Sequence, residues 1–129
     1  MDLESLCQKP GPLIQKLPTE DQFQRAMERL GINSTDDIVL YDTQGLYSAA
    51  RAWFMFRLFN KNVKVHVMNG GLVRWSTEAY PLERGKYELP TNKGSFALDP
   101  DYSLVCSLDE LKQRVRDYRD GITKRTVVD

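Results

Sequence analysis

Residues 49–59, AARAWFMFRLF, carry large apolar side chains around nearly the whole circumference of a helix, with Trp53, Phe54, Met55, Phe56, Leu58 and Phe59 all present. A helix of that kind must be buried on more than one side. Strand-like runs flank it. Ile38-Val39-Leu40-Tyr41 is rich in β-branched and aromatic residues, and Val63-Lys64-Val65-His66-Val67 alternates as a strand with one covered face does. Asn60-Lys61-Asn62 breaks the helix before the second strand. So long a connection excludes a tight antiparallel return. Strand, helix and strand therefore predict a parallel βαβ unit with a right-handed crossover, and an α/β fold.

The other elements read more locally. Thr19 and Gln22 have capping-box spacing at the start of a helix over 20–30, whose apolar face is Phe23, Ala26, Met27 and Leu30, with Gly31 as its stop. Asn69-Gly70-Gly71 predicts a turn, followed by a short helical piece holding Leu72, Val73 and Trp75. From Gly85 to Pro100 the chain is polar, interrupted by Pro90 and Gly94, and without a sustained period; it reads as a linker. Ser107 and Glu110 repeat the capping-box spacing ahead of a helix with Leu108, Leu111, Val115 and Tyr118 on one face and Gly121 as its stop. Thr126-Val127-Val128-Asp129 has the pattern of a strand beginning.

Few elements are available to cover the rings of helix 49–59, each of which has about 150–250 Å² to bury. A parallel sheet normally has layers on both faces. The expectation is that the sequence is part of a longer chain or closes its core by association.

Bulk properties narrow the partners. The 129 residues suit one domain. Eighteen basic residues offset eighteen acidic ones, which argues against nucleic acid or an anionic membrane as partner. The longest apolar run, residues 52–56, is bounded by Arg51 and Arg57 and falls far short of the ~20 residues of a membrane span. The opening MDLESLCQKPGP has neither a basic n-region nor an apolar h-region, so no targeting signal is read there. Cys7 and Cys106 lie far apart without metal-ligand spacing, which predicts neither a disulfide framework nor a zinc site.

Loop 42–48, between the first strand and helix 49–59, lies where open α/β sheets bind ligands, beside unpaired N–H groups and the positive end of a helix dipole. A thiolate nucleophile would be best served there. The loop has no cysteine; Asp42 takes its first position. A purely structural account has Asp42 beginning a turn and Ser48 capping the helix.

These residues also carry a likeness. VLYDTQGLYSAARAWFMFRLF resembles the strand, loop and helix of the first domain of two-domain rhodanese-like sulfurtransferases, the thiosulfate and 3-mercaptopyruvate sulfurtransferases. Leu17-Pro18-Thr19-Glu20, Leu30-Gly31-Ile32, Met68-Asn69-Gly70-Gly71-Leu72 with Trp75, and Tyr80-Pro81-Leu82-Glu83 are similar in the same order. Ala50 departs from the pattern, where relatives often have proline. The resemblance implies a rhodanese-like parallel sheet with flanking helices, incomplete here. It divides the chain into part of a non-catalytic first domain at 1–84, an interdomain linker at 85–104 and the opening of a second domain at 105–129. In such enzymes a cysteine of the second domain becomes a persulfide; Asp42 stands at the equivalent position of the first. The implied activity is transfer of sulfane sulfur from thiosulfate or 3-mercaptopyruvate to cyanide, a thiol or a carrier protein, with no cofactor and no metal, in the cytoplasm or mitochondrion. This chain alone is expected to be inactive. The alternative is a catalytically silent module that binds an anion or a partner protein.

Substrate-binding candidates are Tyr47, Ser48 and Arg51. Arg51, one turn from the loop, either faces an anionic substrate or pairs with an acid such as Asp42. Tyr47 offers a hydroxyl donor to a cleft. Cys106, just before Ser107, reads as a partly buried neutral thiol, and Cys7 as incidental. His66 points away from Val65 and Val67 and, with no paired acid near it in sequence, reads as a surface histidine. The bases of 112–125 interleave with Asp117 and Asp120, as on a solvated helix face. A phosphatase-like use of the loop would require a cysteine and an arginine-bearing loop, which TQGLYS lacks.

Overall fold

The computed structural model describes residues 17–44, 48–85 and 88–123. In chain order these form α1 (Glu20–Arg29), β1 (Asp37–Leu40), α2 (Ala49–Phe59), β2 (Lys64–Val67), α3 (Gly71–Thr77), a short 3₁₀ turn (Tyr102–Leu104) and α4 (Leu108–Arg119). The strand predicted for residues 126–129 lies outside the described residues.

The two strands pair in parallel, Asp37 opposite Lys64 and Leu40 opposite Val67, with α2 as the connection between them. The βαβ expectation therefore stands. Both capping boxes are also present: the Thr19 hydroxyl accepts the Gln22 N–H while the Gln22 side chain accepts that of Thr19, and Ser107 and Glu110 do the same for α4. Each satisfies amide groups that a helix start otherwise leaves unpaired.

The core lies between α1, α2 and one face of the sheet. Phe23 and Met27 of α1 meet Met55, Phe56, Leu58 and Phe59 of α2, with Val65 of β2 beneath them. Phe23 is the centre, stacked on Phe59 at 4.6 Å between ring centroids and edge-on to Phe56 at 5.3 Å. Such ring pairs add roughly 0.5–1.5 kcal/mol each beyond their burial. Helix α2 is not covered all round, however. Trp53 is 40% exposed and Phe54 half-buried, because the buried positions Ala49, Ala52, Met55, Phe56, Leu58 and Phe59 occupy one side.

A further core ring comes from the stretch read as linker. Phe96 is buried and packs edge-on against Phe23 at 5.7 Å. A non-periodic segment gave no signal for it.

The opposite face of the sheet is open. Val39 and Tyr41 are more than half exposed there, and with Met68, Leu72, Trp75 and Leu82 they line a cavity of about 530 Å³. Trp75 shapes the corner after α3 by donating its indole N–H to the Pro81 carbonyl at 2.9 Å and packing on Tyr80.

Candidate functional site

Strand β1 ends at Leu40, and two residues later the chain reaches Asp42, at the C-terminal edge of the sheet. Here the residues bring a small anion cradle together. The Asp42 carboxylate accepts the backbone N–H of Gln44 at 3.2 Å through one oxygen, and those of Ser48 at 2.9 Å and Ala49 at 3.2 Å through the other. The last two amides belong to the start of α2, where the helix dipole favours negative charge. Thus the loop amides and the helix terminus do converge on one anion, and the anion is the protein's own side chain.

This corrects the expected role of Ser48. Its hydroxyl makes no capping bond, and its backbone is in the right-handed helical region, not the extended conformation from which a serine caps. Asp42 reaches six and seven residues ahead to perform the capping instead. Ser48 contributes a backbone N–H and is half-buried.

The second crossover end fixes the loop from below. Leu72 N–H donates to the Asp42 carbonyl at 2.9 Å, so the NGG turn after β2 is tied to the main chain of the site. Gly71 is left-handed at φ +54°, and a Cβ there would lie 2.7 Å from the Asp42 carbonyl oxygen. Only glycine permits this approach without displacement. Sequence reading identified the turn but not its partner.

The other candidates are distributed unevenly. Arg51 lies one turn into α2, half-buried and on the same side of the helix as Ser48 by its three-residue spacing. Tyr47 lies outside the described residues, as does Cys7. Cys106 is a half-buried free thiol immediately before the α4 cap, on a different segment from the cradle. His66 is exposed as expected, but the parallel pairing brings Asp37 to 3.6 Å from its Nε2 and to 3.8 Å from Lys64. The acid that sequence spacing failed to reveal comes from the neighbouring strand. Among the described residues no group of His, Cys, Asp or Glu could hold a metal ion, and no helix is long and apolar enough to cross a membrane.

Chemically, the cradle can hold an oxyanion or a thiolate. A carboxylate in it is a fixed charge with no polarisable sulfur to accept a second sulfur atom.

Comparison with known proteins gives one consistent likeness. No protein-family model matches the chain. Thiosulfate/3-mercaptopyruvate sulfurtransferase 1, mitochondrial, of Arabidopsis thaliana is 34% identical over 135 aligned residues, covering 90% of this chain and 35% of that protein. The 3-mercaptopyruvate sulfurtransferase of Escherichia coli K12 is 38% identical over 100 residues, covering 78% of this chain and 35% of its own length. Among solved structures, the crystal structure of SseA from Escherichia coli, described as a 3-mercaptopyruvate sulfotransferase with the rhodanese fold, superposes with a TM-score of 0.79 at 34% identity over 92% of this chain and 44% of that one. The chain thus spans 35–44% of the length of these relatives.

Proposed function

The chain is a homologue of the 3-mercaptopyruvate and thiosulfate sulfurtransferases built on part of a rhodanese fold, and from this we propose that it supplies the non-catalytic portion of a sulfur-transfer protein. Residues 1–84 are read as part of a first rhodanese-like domain, 85–104 as the connection and 105–129 as the opening of a second. In the whole protein a cysteine thiolate attacks the thiol sulfur of 3-mercaptopyruvate or the outer sulfur of thiosulfate. The donor's C–S or S–S bond breaks, releasing sulfite or the enolate of pyruvate, which takes up the donor's thiol proton to become pyruvate, and a persulfide S–S bond forms. An acceptor thiol, a carrier protein or cyanide then takes that sulfur and returns the thiolate.

The observation that supports the reading is the Asp42 carboxylate accepting three backbone amides, at the position we take to correspond to that of the persulfide-forming cysteine. It supports a supporting, not a reacting, role for this loop, with Arg51 as the cation closest in sequence to it on α2. The activity needs no metal or cofactor. The cytoplasm or mitochondrion is the compartment we assign, in keeping with the Arabidopsis relative.

The test is direct. The purified chain with 3-mercaptopyruvate and a dithiol should release sulfide at the rate of a no-protein control. Release above that control which disappears in Cys106→Ser would overturn the reading. The alternative, a silent module that docks a partner protein, finds support in the open sheet face around Val39, Tyr41 and Leu72. A stable, specific dimer in light scattering would favour that module.

A further inference from the structure

Residues 94–101 hold the molecule together more tightly than their composition suggests. They run extended, with Phe96 buried and Leu98 packed inward while Ser95 and Ala97 face out. On one side they bind α1 and the turn after it. Gly94 N–H donates to Glu28 O at 2.8 Å, the Gln24 amide donates to Phe96 O at 3.0 Å, and Ser34 N–H donates to Ser95 O at 3.1 Å. Ala97 N–H returns a bond to the Ser34 hydroxyl at 2.6 Å. The seat is close: a Cβ on Gly94 would lie 2.3 Å from Ile32 O.

On the other side the same residues cap the end of α2. The last carbonyls of a helix lack partners within it. Here Asp99 N–H donates to Phe59 O at 2.9 Å and Asp101 N–H to Leu58 O at 2.8 Å. Asn60, buried, donates from Nδ2 to Ala97 O at 2.9 Å, and a parallel bridge joins it to Asp99. Beyond the segment the Tyr102 hydroxyl donates to Glu20 at the start of α1. Helix α2 is therefore capped by Asp42 at its first turn and by this segment at its last.

We propose that residues 94–101 are a clamp that locks α1 to the C-terminal end of α2 and sets the point from which the chain enters α4, so that no hinge lies between residues 94 and 101. The clamp stands on its own hydrogen bonds and does not depend on the sulfur-transfer reading. Its consequence is mechanical: one helix joins the Asp42 cradle to the segment leading into α4, so the two are positioned by the same rigid rod.

Amide hydrogen exchange of the full chain by NMR tests this. The amides of Asp99 and Asp101 should exchange on the order of a hundredfold or more slower than in a free peptide, in the same protected group as Asn60 at the end of α2. Exchange at free-peptide rates at these two amides overturns the proposal, whether or not α2 is protected. In Asn60→Ala, which removes the bond to Ala97 O and the one from the Asn62 N–H but neither bond of Asp99 or Asp101 to α2, both amides should speed up at least tenfold while Met68, bonded to Leu40 O between the strands, is unchanged. An unchanged Asp101 in a folded variant would show separate bonds instead of a clamp. If the variant fails to fold, the exchange of the unaltered chain decides.

Discussion

The Asp42 carboxylate binds the Ser48 backbone N–H at 2.9 Å across a gap of six residues, and so caps a helix whose own N-cap serine does not. The two side chains should consequently differ in worth. Asp42→Asn keeps the shape but loses the charge that strengthens each amide bond and complements the dipole, at a cost of about 1–2 kcal/mol. Ser48→Ala removes a hydroxyl without a capping bond and should cost less than about 0.5 kcal/mol. Urea denaturation of both variants checks the order; equal losses would return the capping role to Ser48.

Asp42→Cys asks whether the cradle can hold an anion other than its own. A thiolate facing the Ser48 and Ala49 amides at the helix start should have its pKa pulled below the ordinary ~8.5 of a free cysteine. In a background of Cys7→Ser and Cys106→Ser, the pH profile of iodoacetamide alkylation reads this value. A midpoint at or above about 8.5 would mean that the amides do not stabilise negative charge at this position.

What was legible in the sequence follows from the distance over which each signal acts. Thr19 with Gln22 and Ser107 with Glu110 are read correctly because both partners lie within one turn. Both strands and α2 are legible because their patterns change abruptly at Asn60-Lys61-Asn62 and at loop 42–48. Asp42 is identified as the special residue of its loop, yet its partners are missed, since nothing local distinguishes an aspartate that begins a turn from one that reaches the next helix. Asp37 beside His66, Leu72 beside Asp42, and Phe96 in the core depend on segments that only the folded chain brings together.

Phe96 lies in a stretch that looks dispensable but completes the aromatic cluster around Phe23, 5.7 Å from Phe23 and 6.1 Å from Phe56. Truncation leaves a cavity that the rigid helices cannot close, so Phe96→Ala should lose about 3–5 kcal/mol. Val115→Ala, on the exposed face of α4, should stay within about 0.5 kcal/mol. Thermal unfolding separates them, and a Phe96→Ala chain as stable as the parent would remove this segment from the core.

Acid should loosen α4 first at its cap. Glu110 is held below the usual glutamate range by the hydrogen bond from the Ser107 backbone N–H, and next by one from the Ser107 hydroxyl. A lowered folded-state pKa stabilises the helix at pH values above the unfolded glutamate value of about 4.3, and that contribution fades as pH falls through the lower folded value. The Cα shifts of 107–111 followed by NMR should therefore move with a midpoint below about 4.3, and Glu110→Gln should abolish that midpoint. A midpoint above the unfolded value would contradict the assigned bond.

Two left-handed glycines separate the strain of a backbone angle from the strain of contact. Gly121, at φ +73°, has nothing within 4 Å of where a Cβ would stand. Gly121→Ala therefore meets only the conformational penalty, about 1–2 kcal/mol. Gly71, at φ +54°, would place its Cβ 2.7 Å from the Asp42 carbonyl oxygen, and a backbone atom tied to Leu72 N–H cannot swing aside as a side chain could. Gly71→Ala should thus cost roughly 2–4 kcal/mol by adding overpacking to the same angle strain. It should also speed exchange of the Leu72 and Ser48 amides, because the main chain at Asp42 must shift and carry the carboxylate with it. Equal losses in the two variants, with both amides unchanged, would show that the NGG turn does not hold the loop in place.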